Sequence, residues 1–279
     1  MDYRHRPGED VLILWVLIGL IVGSFLNVCI YRMPQEQSVV WPRSFCPSCK
    51  HPIAWYDNIP LLSYVGLAGK CRHCRAGIHW RYPVVEALST VATVAVLGRF
   101  GPGAKGALYL VFVWALIVVS FIDLEHQIIP DEISVGGLVL GLLLSALAPS
   151  LHGTDHRLLA LGRSVVGALV GGGLLYVTGV AGSLIFRKEA MGGGDVKLLA
   201  MAGSLLGWKL VALTFFAAPL LAIVPGVAVL VFKRSHVIPY GPFLSLGLVL
   251  ALFWGADILR VTGMEETVQA LWFYYGWRS

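Results

Sequence analysis

Apolar runs of nearly uniform length alternate with short polar connections over most of the chain. They lie near residues 11–31, 83–98, 105–122, 132–149, 160–186, 195–208, 210–232 and 241–262. A helix needs about 20 consecutive apolar residues to cross a bilayer, and runs this long without strand-like alternation read as helices. The pattern therefore predicts an all-α polytopic membrane bundle of about eight transmembrane helices, two of them short. The first run leads into GSFLNVCIYRMP, with no small-residue cleavage site, so it reads as a retained helix and not a removable signal. Only 32–82 breaks the pattern, being polar and cysteine-bearing. The expected division is 1–31, N-terminus and first helix; 32–82, a cytoplasmic metal-binding loop domain; and 83–279, the membrane core.

Composition agrees with the pattern. Of 279 residues, 57% are hydrophobic and 13% charged, against about 25% charged in soluble domains. The position of the cations matters more than the net charge of +5. Arg32, Arg43, Lys50, Lys70, Arg72, Arg75 and Arg81 crowd the 32–82 segment against Glu36 and Asp57 alone. Basic loops stay in the cytoplasm, which places this loop inside. Eight crossings would put Arg187/Lys188 and Lys233/Arg234 on the same side and both chain ends outside. Nothing resembles a base-reading module, so no nucleic-acid partner is expected; the lipid bilayer is.

Carboxylates at the ends of such helices need a reason. FIDLEHQIIPDEI (121–133) follows the third run, and AMGGGDVKLL (190–199) opens the sixth. If the helices alternate in direction, Asp123 and Asp195 share one membrane depth at the cytoplasmic boundary. Aspartate is also a common helix cap, whereas an ionisable residue inside a membrane segment is a functional candidate by default. Gly192, Gly193 and Gly194 beside Asp195 let backbone approach closely and permit a turn of positive φ, which suits an enzyme admitting an extended peptide and equally a loose interhelical turn. Glu86 and Lys197 are further channel candidates, although Lys197 equally suits snorkelling to headgroups. Glu125, His126 and Asp131 read as solvated loop, and Arg32 and Arg81 as helix-end anchors. The pairs Gly19/Gly23, Gly137/Gly141 and Gly203/Gly207 have the spacing of tight helix packing.

Four of the five cysteines form CPSC (Cys46, Cys49) and CRHC (Cys71, Cys74), with 21 residues between the pairs. Two such pairs match a four-thiolate zinc site, and a reducing compartment favours metal over disulfide. Four ligands close the coordination sphere, so the zinc expected here is structural. His51, His73 and His79 are superfluous as ligands, and Cys29 reads as a packed helix residue. HExxH, GxSxG and dinucleotide-binding glycine patterns are absent from the sequence. What remains is the aspartate pair, in which an ionised acid can take a proton from water while its protonated partner polarises a carbonyl.

These motifs in this order resemble the prepilin leader peptidases of type 4 pilus and type II secretion systems, membrane aspartic proteases of the GxGD class. The likeness runs through GSFLNVCIYRMP (23–34), both CxxC pairs, WYDNIPLLSYVGLAGKCRHC (55–74), RYPVVEAL (81–88), IDLEHQIIPD (122–131), GGGDVKLLAM (192–201) and IPYGPFLSLG (238–247). It implies catalytic roles for Asp123 and Asp195, with Gly192 and Gly194 as the glycines of GxGD. It also implies removal of a basic leader from prepilins and pseudopilins at the cytoplasmic face of the bacterial inner membrane. N-methylation of the new terminus with S-adenosylmethionine is a further implied activity, for which no donor-binding residue is recognisable. Tyr240 stands where the family often has Phe, with no consequence expected. The rival readings are an ion-coupled transporter and a non-enzymatic assembly scaffold; leader removal from a prepilin would separate both from the protease.

Overall fold

The computed structural model describes residues 8–188, 191–233 and 239–263, and among them every regular element is helical. The chain divides into two compact units at Pro130/Asp131. The first holds α1 (Glu9–Arg32), the short α2 (Leu62–Gly66), α3 (Arg81–Phe100) and α4 (Ala104–His126). The second holds α5 (Asp131–Leu147), α6 (Arg157–Phe186), α7 (Gly193–Leu206), α8 (Trp208–Lys233) and α9 (Gly241–Val261).

All-round apolar sequence leaves the lipid-facing side of each helix to be set by packing. In α1, Ile13, Leu17, Ile21 and Phe25 are exposed at steps of four residues, while Trp15, Gly19, Gly23, Leu26 and Ile30 are buried. One stripe faces outward and the other faces α3, the helix against which α1 packs most extensively. A Cβ at Gly19 would lie 2.5 Å from the Thr90 Cα, and one at Gly23 would lie 2.7 Å from the Glu86 Cα. Lipid tails give helices no hydrophobic reason to associate, so this close backbone approach supplies the contact. Acids in the first turn (Glu9, Asp10) and Arg32 in the last complement the helix dipole.

Among the described residues, eight helices of 14 residues or more occupy the eight expected segments. Among the described residues, six are long and apolar enough to cross a membrane. The other two fall short: α5 has 17 residues and α7 has 14, and at 1.5 Å per residue α7 reaches only about 21 Å. The reason lies in where α7 sits. Its neighbours are α5, α6, α8 and α9, and Leu198, Leu199, Met201, Ala202, Gly203, Ser204 and Leu205 are all buried. It forms the core of the second unit and presents little surface to lipid.

Glycine makes that position possible. A Cβ on Gly203 would strike the Gly167 carbonyl oxygen of α6, and one on Gly141 would strike Ser204. Ser164 Oγ donates to the Ser204 carbonyl across the same α6–α7 contact at 2.7 Å. The Gly19/Gly23 and Gly137/Gly141 pairs thus pack helices, as their spacing implies. Gly207 does something else. Its φ of 83° ends α7, a positive-φ conformation that glycine adopts without steric strain.

Replacing Gly203 by Ala should destabilise the second unit by about 1–3 kcal/mol, because α6 and α7 must separate to admit a methyl group. Gly173→Ala, which meets nothing within 4 Å, should be neutral or slightly stabilising. Thermal unfolding in detergent, read for both variants, checks the contrast.

Candidate active site and metal centre

The polar loop after α1 folds around two turns of the same design. In the first, Cys46 N–H donates to the His51 carbonyl at 2.9 Å and Lys50 N–H to the Cys46 carbonyl at 2.8 Å. In the second, Cys71 N–H donates to Ala76 at 2.8 Å and Arg75 N–H to Cys71 at 3.0 Å. Lys50 and Arg75 both take positive φ, 58° and 61°, and each turn is flanked by a single bridge, Phe45 to Pro52 and Lys70 to Gly77. The repeat aims all four sulfurs at one point. The Sγ atoms of Cys46, Cys49, Cys71 and Cys74 lie within 4.8 Å of one another, with Cys46 and Cys74 separated by 3.9 Å. A tetrahedral ion with bonds of about 2.3 Å needs sulfurs about 3.8 Å apart, so the donor set fits a four-thiolate centre. His51 and His73 stack on each other at 4.3 Å and belong to no metal-ligand group among the described residues.

Burial opposes charge on the Cys46 sulfur, but the N–H groups of Cys49 and Ser48 and the neighbouring thiols outweigh it and bring its pKa to about 7. Backbone donors turned toward a sulfur favour its thiolate, the form that ligates a metal. Three tethers then fix the loop. The buried Arg32 guanidinium donates to the carbonyls of Ser38, Pro42 and Arg43. Arg72 grips both oxygens of Asp57 at 2.7–3.0 Å, and that hydrogen-bonded guanidinium holds the Asp57 carboxyl below its usual range. Leu61 N–H donates to Glu86 Oε2 at 2.8 Å.

These contacts revise several sequence readings. Arg32 and Arg81 do stand at helix ends but are not simple anchors, since both are buried. Arg81 is ion-paired with Glu125, which sits on the last turn of α4 and is therefore not free solvated loop. Glu86 is buried on α3 and ties loop to helix. Asp131 is exposed, yet it opens α5 instead of lying in a loop, and both its oxygens accept from Lys197 Nζ, at 2.7 and 2.9 Å. Sequence spacing shows none of these pairs, because their partners are 25 to 66 residues apart.

Asp123 lies in the last turn of α4 in the first unit, where its own carbonyl accepts the Gln127 N–H that ends the helix. It is 6% exposed. Asp195 lies in the first turn of α7 in the second unit, its N–H bonded to the Gly192 carbonyl, and is 9% exposed. A helix's first turn has unpaired N–H groups and favours a carboxylate. The positive φ open to the glycine run is not used. Gly192 is extended, with φ of −70°, and Gly193 and Gly194 already belong to α7. The value of Gly192 is its lack of bulk, since a Cβ there would sit 3.1 Å from Asp195 Oδ2. Tyr240 stands near the same acid. Burial first, and then the charge of Asp195, push its phenol up to about 12.

Comparison with known proteins places this geometry. Residues 17–100 match the model of the Bacterial Peptidase A24 N-terminal domain, and residues 110–227 match the Type IV leader peptidase family. A prepilin leader peptidase/N-methyltransferase of Aeromonas hydrophila is 35% identical over 271 residues, covering 88% of this chain and 91% of the relative. The chain belongs to the type IV leader peptidase family. A relative of the same name in Pseudomonas aeruginosa is 34% identical over 93% of this chain and 96% of its own length. One in Myxococcus xanthus is 42% identical over 78% of this chain and 64% of its own. No solved structure matches. The family resemblance carried by the sequence motifs is borne out, and a type IV leader peptidase is an enzyme of the bilayer, as the helices require.

The two ion pairs should behave differently. Glu125→Ala strands a buried guanidinium and should cost about 1–3 kcal/mol, the carboxylate being only partly buried. Asp131→Asn breaks an exposed pair and should cost less than about 1 kcal/mol. Thermal unfolding of the two variants in the same detergent separates them.

Proposed function

We propose that this protein is a membrane aspartic endopeptidase that removes the basic leader of prepilins and pseudopilins and then methylates the new terminus using S-adenosylmethionine. Asp123 and Asp195 are the catalytic carboxylates in this reading. The observation that carries it is that both motif acids are buried at helix ends, where a carboxylate is costly unless it has work to do. One acid, ionised, takes a proton from water as the water oxygen attacks the scissile carbonyl carbon. The other, protonated, donates to the carbonyl oxygen. Collapse of the tetrahedral species breaks the C–N bond, and a proton passes to the departing nitrogen. Gly192 keeps space open at Asp195, Gly193 and Gly194 continue a side-chain-free approach, and Lys197, two residues after Asp195 on α7, is paired with Asp131.

The basic loop, the zinc site and both acids face the cytoplasm in this proposal, where a basic leader is retained. Both chain ends then lie outside; residues 1–7 and 264–279 fall beyond the described residues. Zinc is the metal best suited to four thiolates, and bound there it would cross-link the two turns as a structural ion. The cysteines hold it, while peptide hydrolysis is left to the aspartates. Buried acids alone would also suit an ion-coupled transporter; a leader-peptidase sequence over most of the chain is what neither a transporter nor a scaffold would need.

Incubating the purified protein with a prepilin, with and without methyl donor, tests the proposal by mass spectrometry. The leader should be lost in both cases, and only the donor-containing product should gain the mass of one methyl group. The protein should carry about one zinc, lost in Cys46→Ser because three thiolates no longer close the site. An intact prepilin would sink the peptidase reading, and active protein free of zinc would sink the metal assignment.

A further inference from the structure

Between the metal-binding loop and α1, α3 and α4, wholly inside the first unit, lies a cavity of about 980 Å³. Small-molecule sites occupy roughly 300–1,000 Å³, so this one is large enough for a nucleoside joined to an amino acid. Its lining includes three polar groups with unmet requirements. Asn27 is 2% exposed, and its amide NH₂ donates to the carbonyls of Gly23 and Tyr82; its Oδ1 has no partner. Arg81 is 6% exposed, and its Nη1 is committed to Glu125 while its Nε has no partner. Glu86 is 7% exposed and accepts Leu61 N–H, yet no cation pairs with it among the described residues.

Buried polar groups are almost always satisfied, and a buried carboxylate without a cation is costly. An acceptor, a donor and a carboxyl group without a cation partner in one chamber describe the complement of a ligand. That ligand must carry a positive charge near Glu86, an acceptor for the Arg81 Nε–H, and a donor for Asn27 Oδ1. Tyr31, Tyr56 and Tyr82 add aromatic surface to the same wall, suited to a flat heterocycle or to a cation. S-adenosylmethionine offers all four features in one molecule: sulfonium and α-ammonium cations, a carboxylate, N–H donors and an adenine ring.

We infer that this cavity is the methyl-donor site, with Glu86 facing the donor's positive charge and Asn27 and Arg81 reading its polar ends. The inference rests on the methyltransferase half of the proposed function and adds the residues that half lacks. It also moves Glu86 from the peptide channel to the donor pocket, in the unit that does not contain Asp195.

Calorimetric titration of the purified full-length protein with S-adenosylmethionine and S-adenosylhomocysteine tests it. The wild type should bind both. Glu86→Gln and Asn27→Leu should each weaken S-adenosylmethionine about tenfold or more, a loss expected when a buried polar contact is removed. Glu86→Gln should also narrow any preference for the sulfonium over the neutral thioether. Should either variant unfold, Tyr56→Ala decides, because Tyr56 is half exposed on the loop and its removal should still weaken binding severalfold. Asp195→Asn should bind the donor with wild-type affinity. Unchanged affinity in folded cavity variants would overturn the pocket, and if the wild type still methylates a pre-cleaved pilin the enzymatic reading survives. A wild type that neither binds donor nor methylates would overturn both.

Discussion

A bilayer offers no water to the peptide backbone, and that constraint organises the whole molecule. Every N–H and C=O inside hydrocarbon must be paired within the chain, so the apolar runs become helices. Association between those helices cannot draw on the hydrophobic effect and falls to close contact and internal hydrogen bonds. Gly19 and Gly23 against α3, and Gly203 against Gly167, are therefore structural necessities at contacts where even a methyl group has no room. Buried hydroxyls follow the same rule: Thr93 and Ser145 return their protons to carbonyls one turn back, and Ser164 spends its proton on a neighbouring helix.

The loop between α1 and α3 faces the opposite difficulty. It is hydrated and largely exposed, and Val40, Trp41, Trp55, Leu62 and Val65 are all left outside any core. A segment this small cannot hold itself together by apolar burial alone and needs a staple. Four convergent thiols, the Arg32 carbonyl clamp, the Asp57–Arg72 pair and the Glu86–Leu61 bond supply it. The same tethers roof the cavity beneath, so one set of contacts both folds the loop and shapes a chamber over the membrane helices.

Much of this was legible in the sequence because it is written locally. Helix positions follow from runs of apolar residues, and the CxxC pairs declare a four-sulfur cluster by spacing. The GxGD motif places Asp195 in the first turn of a helix, and Pro130 marks the break after α4. What stayed hidden depends on distant partners. Nothing near Arg81 announces Glu125, and Glu86 resembles a channel acid until Leu61 is found above it. The glycines at 192–194 suggested an unusual turn, yet they open an ordinary helix and act through missing bulk. The shortness of α7 looked like an imperfect membrane span, whereas its length fits a helix enclosed by four others.

The two aspartates belong to different units of the chain and to opposite kinds of helix end, and the functional account stands on their acting together. The most direct measurement is the rate of leader removal by Asp123→Asn, Asp195→Asn and the double variant, each folded and membrane-inserted. An amide preserves size and hydrogen bonding but can neither serve as base nor share the proton. Groups that act as a unit are strongly non-additive. The account predicts that each single variant loses cleavage and that the double variant is scarcely worse than either. Near wild-type cleavage by either single variant would contradict it.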